Sequence, residues 1–346
     1  MYDQIRENTI FIMLYAVVTA MTMIASCYLL FRQGNAFARD VKPPLRLRRW
    51  TAAYFAAAAL LLGMTGCSKE DNLNPMPEPS PAVWEKGVLP GRFTVNADGL
   101  QVQFAQGNLQ YQASSHTWRL AEHQYDIVGD AIIGNVYENG VKSDNTKIDS
   151  DYNGWIDLFG WGTGVNPTLA TTVKEDYIVY SEWGNNAIQN SPGCTWRTLA
   201  NDEIVYLFHG RTNADKLFGF GSVDGVNGVI LLPDDWMMPG GLSYTPSTTK
   251  GLEWNGTYYF NENADNYTHN TYTTAEWAVM ESAGAVFLPS AGYREGTTVS
   301  LVGKAIDYWS ATQDGTAAGG ISGNSKRLHP QSFGDLCYGD CVRLVR

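Results

Sequence analysis

Two apolar runs without any charged residue occupy much of the first 66 residues, and they divide the chain into two unlike regions. The first run, residues 9–31, is long enough as a helix rising about 1.5 Å per residue to cross a hydrocarbon core of about 30 Å. The second run, residues 50–66, follows a segment with six basic side chains. Residues 1–66 carry a net charge of +4 and residues 67–346 a net charge of −15, so the total of −11 describes neither region.

The composition excludes two classes of protein for the second region. The chain contains 19 Tyr, 13 Phe and 11 Trp, which can bury far more apolar surface than a disordered chain offers. The acidic balance excludes nucleic acid as the expected partner, because phosphate binding needs a basic face. We therefore expect a folded, exported domain behind a membrane-directed leader.

The second apolar run ends in Met64-Thr65-Gly66-Cys67, and its basic, apolar and small-residue parts are those of a secretory signal. This ending resembles the lipobox of bacterial lipoproteins, with Met64 where the family usually has Leu. The resemblance implies that Cys67 is lipidated and becomes the mature N-terminus. The alternative is a hairpin of two transmembrane helices. The positive-inside rule places its basic connection in the cytoplasm and Cys67 outside, which is the orientation that lipidation also needs. A start at Val41, read as an alternative initiator, would give a compact signal.

The segment after the cysteine favours the lipoprotein interpretation. Ser68-Lys69-Glu70-Asp71 resembles the acidic export tag on surface lipoproteins of Bacteroidetes-type bacteria. Residues 67–91 are rich in proline, as extended, solvated tethers are. We therefore expect the protein on the outer-membrane surface of a bacterial cell envelope, held there by a lipid or by its N-terminal helices.

Residues 92–346 read as one α+β domain. Short alternating runs and recurring turn dipeptides such as Asn255-Gly256 predict strands joined by turns. Two segments predict helices. Residues 198–211 have acidic residues in the first turn and an apolar face, and residues 273–284 begin with a Thr273–Glu276 capping-box pattern.

Several blocks of this domain carry a resemblance: WRTLANDEIVYLF, GVNGVILLPDDW, AGAVFLPSAGYREGT, YWSAT and the final VRLVR. They resemble exported Bacteroidetes lipoproteins whose domain is similar to the C-type lectin-like fold, in the variant shared with formylglycine-generating enzymes and the Fibrobacter major paralogous domain. The resemblance implies an α+β, C-type lectin-like fold with two helices, short antiparallel strands and long loops, preceded by hydrophobic N-terminal segments. Some relatives are variable proteins of diversity-generating retroelements, in which surface residues near the C-terminus change the ligand.

The segment from Gly292 to Cys341 is the expected ligand-binding region. It interleaves polar and aromatic residues without helix or strand periodicity, which predicts loops on a rigid frame, and binding residues concentrate on such loops. The resemblance implies that the diversified, ligand-binding residues are Glu295, Thr297, Ser300, Lys304, Asp307, Asp314, Lys326, Arg327, His329, Ser332, Phe333, Asp335, Tyr338 and Asp340. Tyr308, Trp309, Arg294 and Arg343 are expected to hold the fold. The expected function is adhesion or recognition of a surface glycan or protein.

Three cysteines fall within residues 92–346, namely Cys194, Cys337 and Cys341. A disulfide between Cys337 and Cys341 requires a turn between them, because residues four apart on a strand are about 13 Å apart. The alternative is a catalytic pair like that of formylglycine-generating enzymes. The family's cysteines precede the final strand, however, and the oxidase motif is absent. Asp335 and Asp340 are also expected to raise the pKa of the thiols. We therefore do not expect an enzyme.

A weak calcium loop is the second chemical candidate. Asp149, Asp151, Asn153 and Asp157 follow much of a calcium-loop pattern, but Gly160 replaces the final glutamate. An ordinary Asx turn is the favoured interpretation, and no cofactor is expected. The five histidines show no zinc-ligand spacing.

Two further alternatives concern carbohydrate chemistry and assembly. Glu253, Glu262 and Glu281 are candidate acid/base carboxylates for a carbohydrate-active enzyme, although solvated surface carboxylates are the expected interpretation. Trp155, Phe159 and Trp161 are expected in the core, and would stack on sugars if exposed. A structural subunit of a surface assembly is expected to carry a donor-strand segment, and the sequence contains no clear one.

Overall fold

Short β-strands dominate the domain, as the turn dipeptides predict, and two short α-helices accompany them. The computed structural model describes residues 85–128, 148–263 and 266–346. The predicted leader, the predicted lipidation site Cys67 and residues 67–84 of the predicted tether lie outside these residues. The α+β class is confirmed, and the strands of the described segments form no closed barrel.

The strands are β1 (Phe93–Thr94), β2 (Gln101–Val102), β3 (Leu109–Gln112), β4 (Thr117–Leu120), β5 (Phe159–Gly160), β6 (Phe218–Val223), β7 (Val226–Leu231), β8 (Glu253–Trp254), β9 (Tyr259–Phe260), β10 (Thr271–Tyr272), β11 (Val286–Pro289), β12 (Tyr293–Glu295), β13 (Thr298–Ser300), β14 (Ile306–Asp314), β15 (Ala317–Asn324), β16 (Arg327–Asp335) and β17 (Tyr338–Asp340). The helices are α1 (Asn201–Val205), which continues as a π-helix over Tyr206–Gly210, and α2 (Thr274–Ser282). Short 3-10 turns cover Glu85–Gly87, Ala113–Ser115, Lys174–Tyr177, Trp183–Asn185, Ala214–Lys216, Ser247–Lys250 and Asn266–Thr268.

Both predicted helices are present. At the start of α2, the Thr273 hydroxyl accepts a hydrogen bond from the Glu276 N–H at 3.2 Å, and the Glu276 carboxylate accepts one from the Thr273 N–H at 2.8 Å. This is the predicted capping box. Gly284 follows the helix at φ +100°, a conformation that glycine adopts without strain. None of the helices within the described segments combines the length and apolar character needed to cross a membrane.

The strands form three larger sheets and two hairpins. Their orders are β10-β6-β7-β11, β13-β12-β17-β5 and β14-β15-β16-β9-β8, with β1-β2 and β3-β4 as separate pairs. Neighbouring strands within these sheets are antiparallel except for β10 and β6. The second and third sheets meet at the C-terminal end of β17: this strand pairs with β12, and Cys341, the residue after it, bridges to Tyr308 of β14.

The prediction that residues between Gly292 and Cys341 form loops on a rigid frame is wrong. This segment forms β12 to β17, and β14, β15 and β16 are the longest strands of the described chain. Glycines in β15 remove the alternation of apolar and polar residues that would predict a strand. They are required by close packing: a Cβ on Gly319 would lie 2.6 Å from Cγ of Asn201, and one on Gly320 would lie 2.3 Å from the Tyr308 carbonyl oxygen.

The residues predicted to hold the fold are buried. Tyr308, Trp309, Arg294 and Arg343 are each at most 5% exposed. Phe159 and Trp161 also lie in the core, whereas Trp155 is half-buried beneath the guanidinium of Arg119, 3.7 Å from the ring centroid.

Residues 342–345 are buried but do not form the regular last strand that the resemblance implies. Val342, Leu344 and Val345 are fully buried, and Val345 makes isolated bridges to Phe104 and Arg197. The side chain of Arg343 anchors this segment, because its guanidinium donates to the Asn108 Oδ1 at 3.0 Å and the Phe287 carbonyl oxygen at 2.9 Å.

Candidate functional site

A cleft of about 440 Å³ opens over the β14-β15-β16 sheet, beside β17 and β12. Half of the fourteen predicted ligand residues line it: Lys304, Asp307, Arg327, Ser332, Phe333, Tyr338 and Asp340. The sheet therefore gathers side chains separated by up to 36 positions along the chain onto one concave surface.

The cleft exists because one strand carries only small side chains on this face. Ala318, Gly320 and Ser322 occupy alternate positions of β15, and alternate residues of a strand point to the same face. Trp309 of β14 is the cross-strand partner of Gly320, and Ser332 of β16 is its partner on the other side. Larger residues at these β15 positions would fill the space.

Two carboxyl groups lie side by side on this surface. Trp309 N–H donates to the Cys341 carbonyl oxygen, and Cys341 N–H donates to the Asp307 carbonyl oxygen, both at 3.0 Å. This is a parallel bridge between Tyr308 and Cys341, and it places Asp307 directly beside Asp340. Neighbouring strands are about 4.8 Å apart, which sets the spacing of the two residues.

Burial perturbs both carboxyls. It raises the pKa of Asp307 to about 7, against the opposing effects of a hydrogen bond from Ser322 and of the nearby Arg327 charge. Burial, followed by the charge of Asp307, raises the pKa of Asp340 well above its usual value, whereas Arg294 acts in the opposite direction. Asp340 is only 9% exposed, and no side chain or backbone group of the described segments donates a hydrogen bond to its carboxyl.

The walls of the cleft are aromatic and its rim is basic. The rings of Tyr293 and Tyr338 lie with centroids 5.8 Å apart, and Phe333 is 48% exposed. Lys304 and Arg327 are exposed at the edge of the same cleft. The arrangement offers apolar contact together with charged and hydrogen-bonding groups, which is the composition of ligand sites in general.

The other seven predicted residues lie away from this cleft. Glu295, Thr297 and Ser300 belong to β12, β13 and the turn between them, and Asp314 and Lys326 lie at the ends of the β14-β15 and β15-β16 turns. The His329 ring packs 5.1 Å from the Tyr258 ring, and Asp335 accepts a hydrogen bond from the Lys174 ammonium at 3.0 Å. The structure therefore does not bring these residues into the same site.

Sequence reasoning missed other lining residues. Tyr293, Ser322 and Asn324 line the cleft. Trp309, which is expected from the sequence to hold the fold, lines it as well. The available signal was the i, i+2 spacing of Asp307 and Trp309 and of Tyr338 and Asp340, which marks one strand face once these segments are treated as strands rather than loops.

The cysteines of the described segments all have free thiols. Cys337 and Cys341 flank β17 and pack in different apolar clusters, and the Cys341 Sγ accepts a hydrogen bond from the Asn108 amide at 3.3 Å. Burial is the main reason that the pKa of each of these two thiols is raised, and the acidic neighbours predicted from sequence add a smaller effect.

The residues of the weak calcium pattern are divided between surface and core. Asp149, Asp151 and Asn153 are exposed, whereas Asp157 is fully buried and accepts a hydrogen bond from the Val128 N–H at 3.0 Å. Within the described segments, no group of three or more His, Cys, Asp or Glu side chains is arranged to hold a metal ion.

A second concave region lies beside the π-helix. The His209 ring stacks on Trp254 with centroids 4.1 Å apart, and its Nδ1 lies 3.2 Å from the Tyr259 hydroxyl. Glu253 lines a cleft of about 450 Å³ here. Of the other two candidate carboxylates, Glu262 is exposed and Glu281 accepts a hydrogen bond from the Gln124 amide.

Comparisons with protein-family models, with curated proteins and with solved structures found no match for this chain.

Proposed function

We propose that this protein is a cell-surface lipoprotein that binds a ligand, a glycan or a protein, in the cleft between β14–β16 and β17. The observation that carries the proposal is the convergence of seven predicted ligand residues on one cleft of about 440 Å³. A frame of hydrogen-bonded strands holds these side chains, so little conformational entropy is lost when a ligand binds.

The anchoring part of the proposal depends on the leader. Lipidation at Cys67 would leave the proline-rich tether between the membrane and the domain, which favours access to ligands outside the cell. The proposed domain is C-type lectin-like, and its β14–β17 region corresponds to the part that retroelement-linked relatives diversify. Intact mass of membrane-extracted protein tests the anchor: a lipidated species starting at Cys67 supports it, and a species that retains residues 1–66 contradicts it.

The binding test uses the full chain on an array of glycans and bacterial surface proteins. Replacing Arg327, Phe333 and Tyr338 together by Ala should abolish the signal, because the three side chains supply charge and aromatic contact at the cleft. None of the three is fully buried, so the free energy of unfolding should change little. Unfolding of the triple variant would instead show that these residues belong to the core.

A carbohydrate-active enzyme is the second candidate, because Glu253, His209 and Trp254 lie together at the second concave region. An aromatic ring beside a carboxylate suits a sugar ligand. Hydrolysis of any array glycan by the full chain, lost in Glu253→Gln, would favour this candidate over simple binding.

A further inference from the structure

The carboxyl of Asp340 differs from the other polar groups that line the cleft. Asp340 is only 9% exposed, lines the cleft and receives no hydrogen bond from any described residue. A mostly buried carboxyl that faces a cleft and has no protein donor can accept hydrogen bonds only from water or from a ligand in that cleft. The missing partner is therefore best supplied from outside the chain.

The strand geometry directs this carboxyl toward the cleft. Tyr338 and Asp340 are two residues apart on β17 and both line the cleft, whereas a Cβ on the intervening Gly339 would contact Arg294 on the other side. The parallel bridge between Tyr308 and Cys341 puts Asp307 beside Asp340 on the cleft side. Two adjacent carboxyl groups thus line an aromatic-walled cleft.

We propose that Asp307 and Asp340 together bind a primary ammonium group of the ligand. An ammonium has three donors and one positive charge, so it can donate to both carboxyls at once and balance a pair that carries a single negative charge, with one carboxyl keeping its proton. The rings of Tyr293 and Tyr338 can contact the alkyl or sugar carbons next to the ammonium, and aromatic faces attract cations. This inference rests on the proposed function, because it identifies the chemistry of the ligand in the same cleft.

Competing charges do not cancel this preference. Lys304 and Arg327 are exposed at the rim, where water screens their repulsion of an ammonium. Asp340 is 9% exposed and Asp307 is half-buried, so their charge interactions are stronger than those at the exposed rim, and among the described residues the buried Arg294 is the one cation that acts on Asp340 from inside the fold. A hard metal ion is a poorer fit, because calcium takes six to eight oxygen ligands and the described segments hold no group of three metal-binding side chains here.

The test compares probes that differ only in the ammonium. The full chain is titrated with Nα-acetyl-lysine methylamide and its Nε-acetylated counterpart, and with glucosamine and N-acetylglucosamine. We expect the ammonium member of at least one pair to bind about tenfold more tightly than its neutral counterpart, as a charge-assisted hydrogen bond predicts. The pair that shows the preference distinguishes a lysine side chain from an amino sugar as the source.

Three variants locate the effect. Asp307→Asn and Asp340→Asn should each remove the preference for the ammonium probe, because each replaces a carboxylate by a neutral amide of the same size. Asp314→Asn, an exposed change on the same strand as Asp307, should retain it. Thermal unfolding of each variant checks that the fold is intact, and a buried carboxyl replaced by an amide is not expected to lower the midpoint.

The outcomes separate this inference from the proposed function. Equal binding of the charged and neutral probes, or no binding of any probe, overturns the ammonium assignment. If a neutral probe binds and the triple Arg327, Phe333 and Tyr338 variant abolishes that binding, the cleft is a binding site with another chemistry. If the array signal survives in the triple variant, the proposed function itself is wrong.

Discussion

Two buried polar clusters on opposite sides of the Tyr308–Cys341 bridge differ in how well they are satisfied. Around Arg343, the guanidinium donates to Asn108 and to the carbonyl oxygen of Phe287, and the Tyr308 hydroxyl donates to the carbonyl oxygen of Pro289 at 3.0 Å. Around Asp340, no described group donates to the carboxyl. Arg343 is 5% exposed and Asp340 is 9% exposed, so the degree of burial alone does not explain the difference.

The comparison indicates what each cluster contributes. Buried polar groups that satisfy one another fix the packing of chain segments, and losing one member exposes the others to the full cost of desolvation. An unsatisfied buried group lowers the stability of the free protein, and a ligand can recover that cost by supplying the missing partner. We therefore expect Arg343 to stabilise the fold, and we propose Asp340 as a ligand-binding residue.

The largest expected effect comes from breaking the satisfied cluster. Arg343→Met removes the donor to Asn108 and Phe287 and should lower the free energy of unfolding by about 3–5 kcal/mol. Urea unfolding of the full chain measures it. Arg346→Met is the matched control, because the exposed Arg346 bonds only to Gln103 and should change stability by less than about 0.5 kcal/mol. A loss below about 1 kcal/mol for Arg343→Met would contradict the comparison.

A smaller effect of opposite sign is expected from the unsatisfied cluster. The pKa of Asp340 in the folded protein is raised, so the folded state keeps a proton that the unfolded state releases. The free energy of unfolding therefore falls as the pH rises from the usual pKa of an aspartate toward the raised pKa in the folded protein. Asp340→Asn does not titrate there, so at pH 8 it should raise the free energy of unfolding by about 1–3 kcal/mol.

Urea unfolding at pH 5 and pH 8 tests this prediction. The gain from Asp340→Asn should be larger at pH 8 than at pH 5, and Asp314→Asn should show no such trend, because Asp314 is exposed. A gain that is equal at the two pH values, or a loss of stability at pH 8, would mean that the Asp340 carboxyl is satisfied in the folded protein.

The sequence carried enough information for the fold class and for the residues that hold the core. The capping box at Thr273 and the aromatic content predict a helix and a packed interior from local chemistry alone. The sequence did not predict the long strands β14 to β16. Gly319 and Gly320 are present because Asn201 and Tyr308 approach closely, and such tertiary contacts leave no periodic pattern in the sequence.

The candidate site was predictable only in part for the same reason. Polar composition indicated the segment, but the choice among its residues depends on which face of each strand they occupy. Asp307 and Tyr338 line the cleft, whereas Asp314 and Lys326 lie at strand ends and turns. The side-by-side placement of Asp307 and Asp340 follows from a bridge between residues 33 positions apart, which no local pattern reveals.

The most direct test of the central claim fills the cleft without touching its charges. Ser332→Trp places a large side chain on the cleft face of β16, and Gln331→Trp places the same side chain on the adjacent residue, which lines a different cleft beside α1. Binding of the full chain to its array ligand is measured for both. Ser332→Trp should abolish binding and Gln331→Trp should retain it; retained binding in Ser332→Trp, with both variants folded, would show that the ligand does not occupy this cleft.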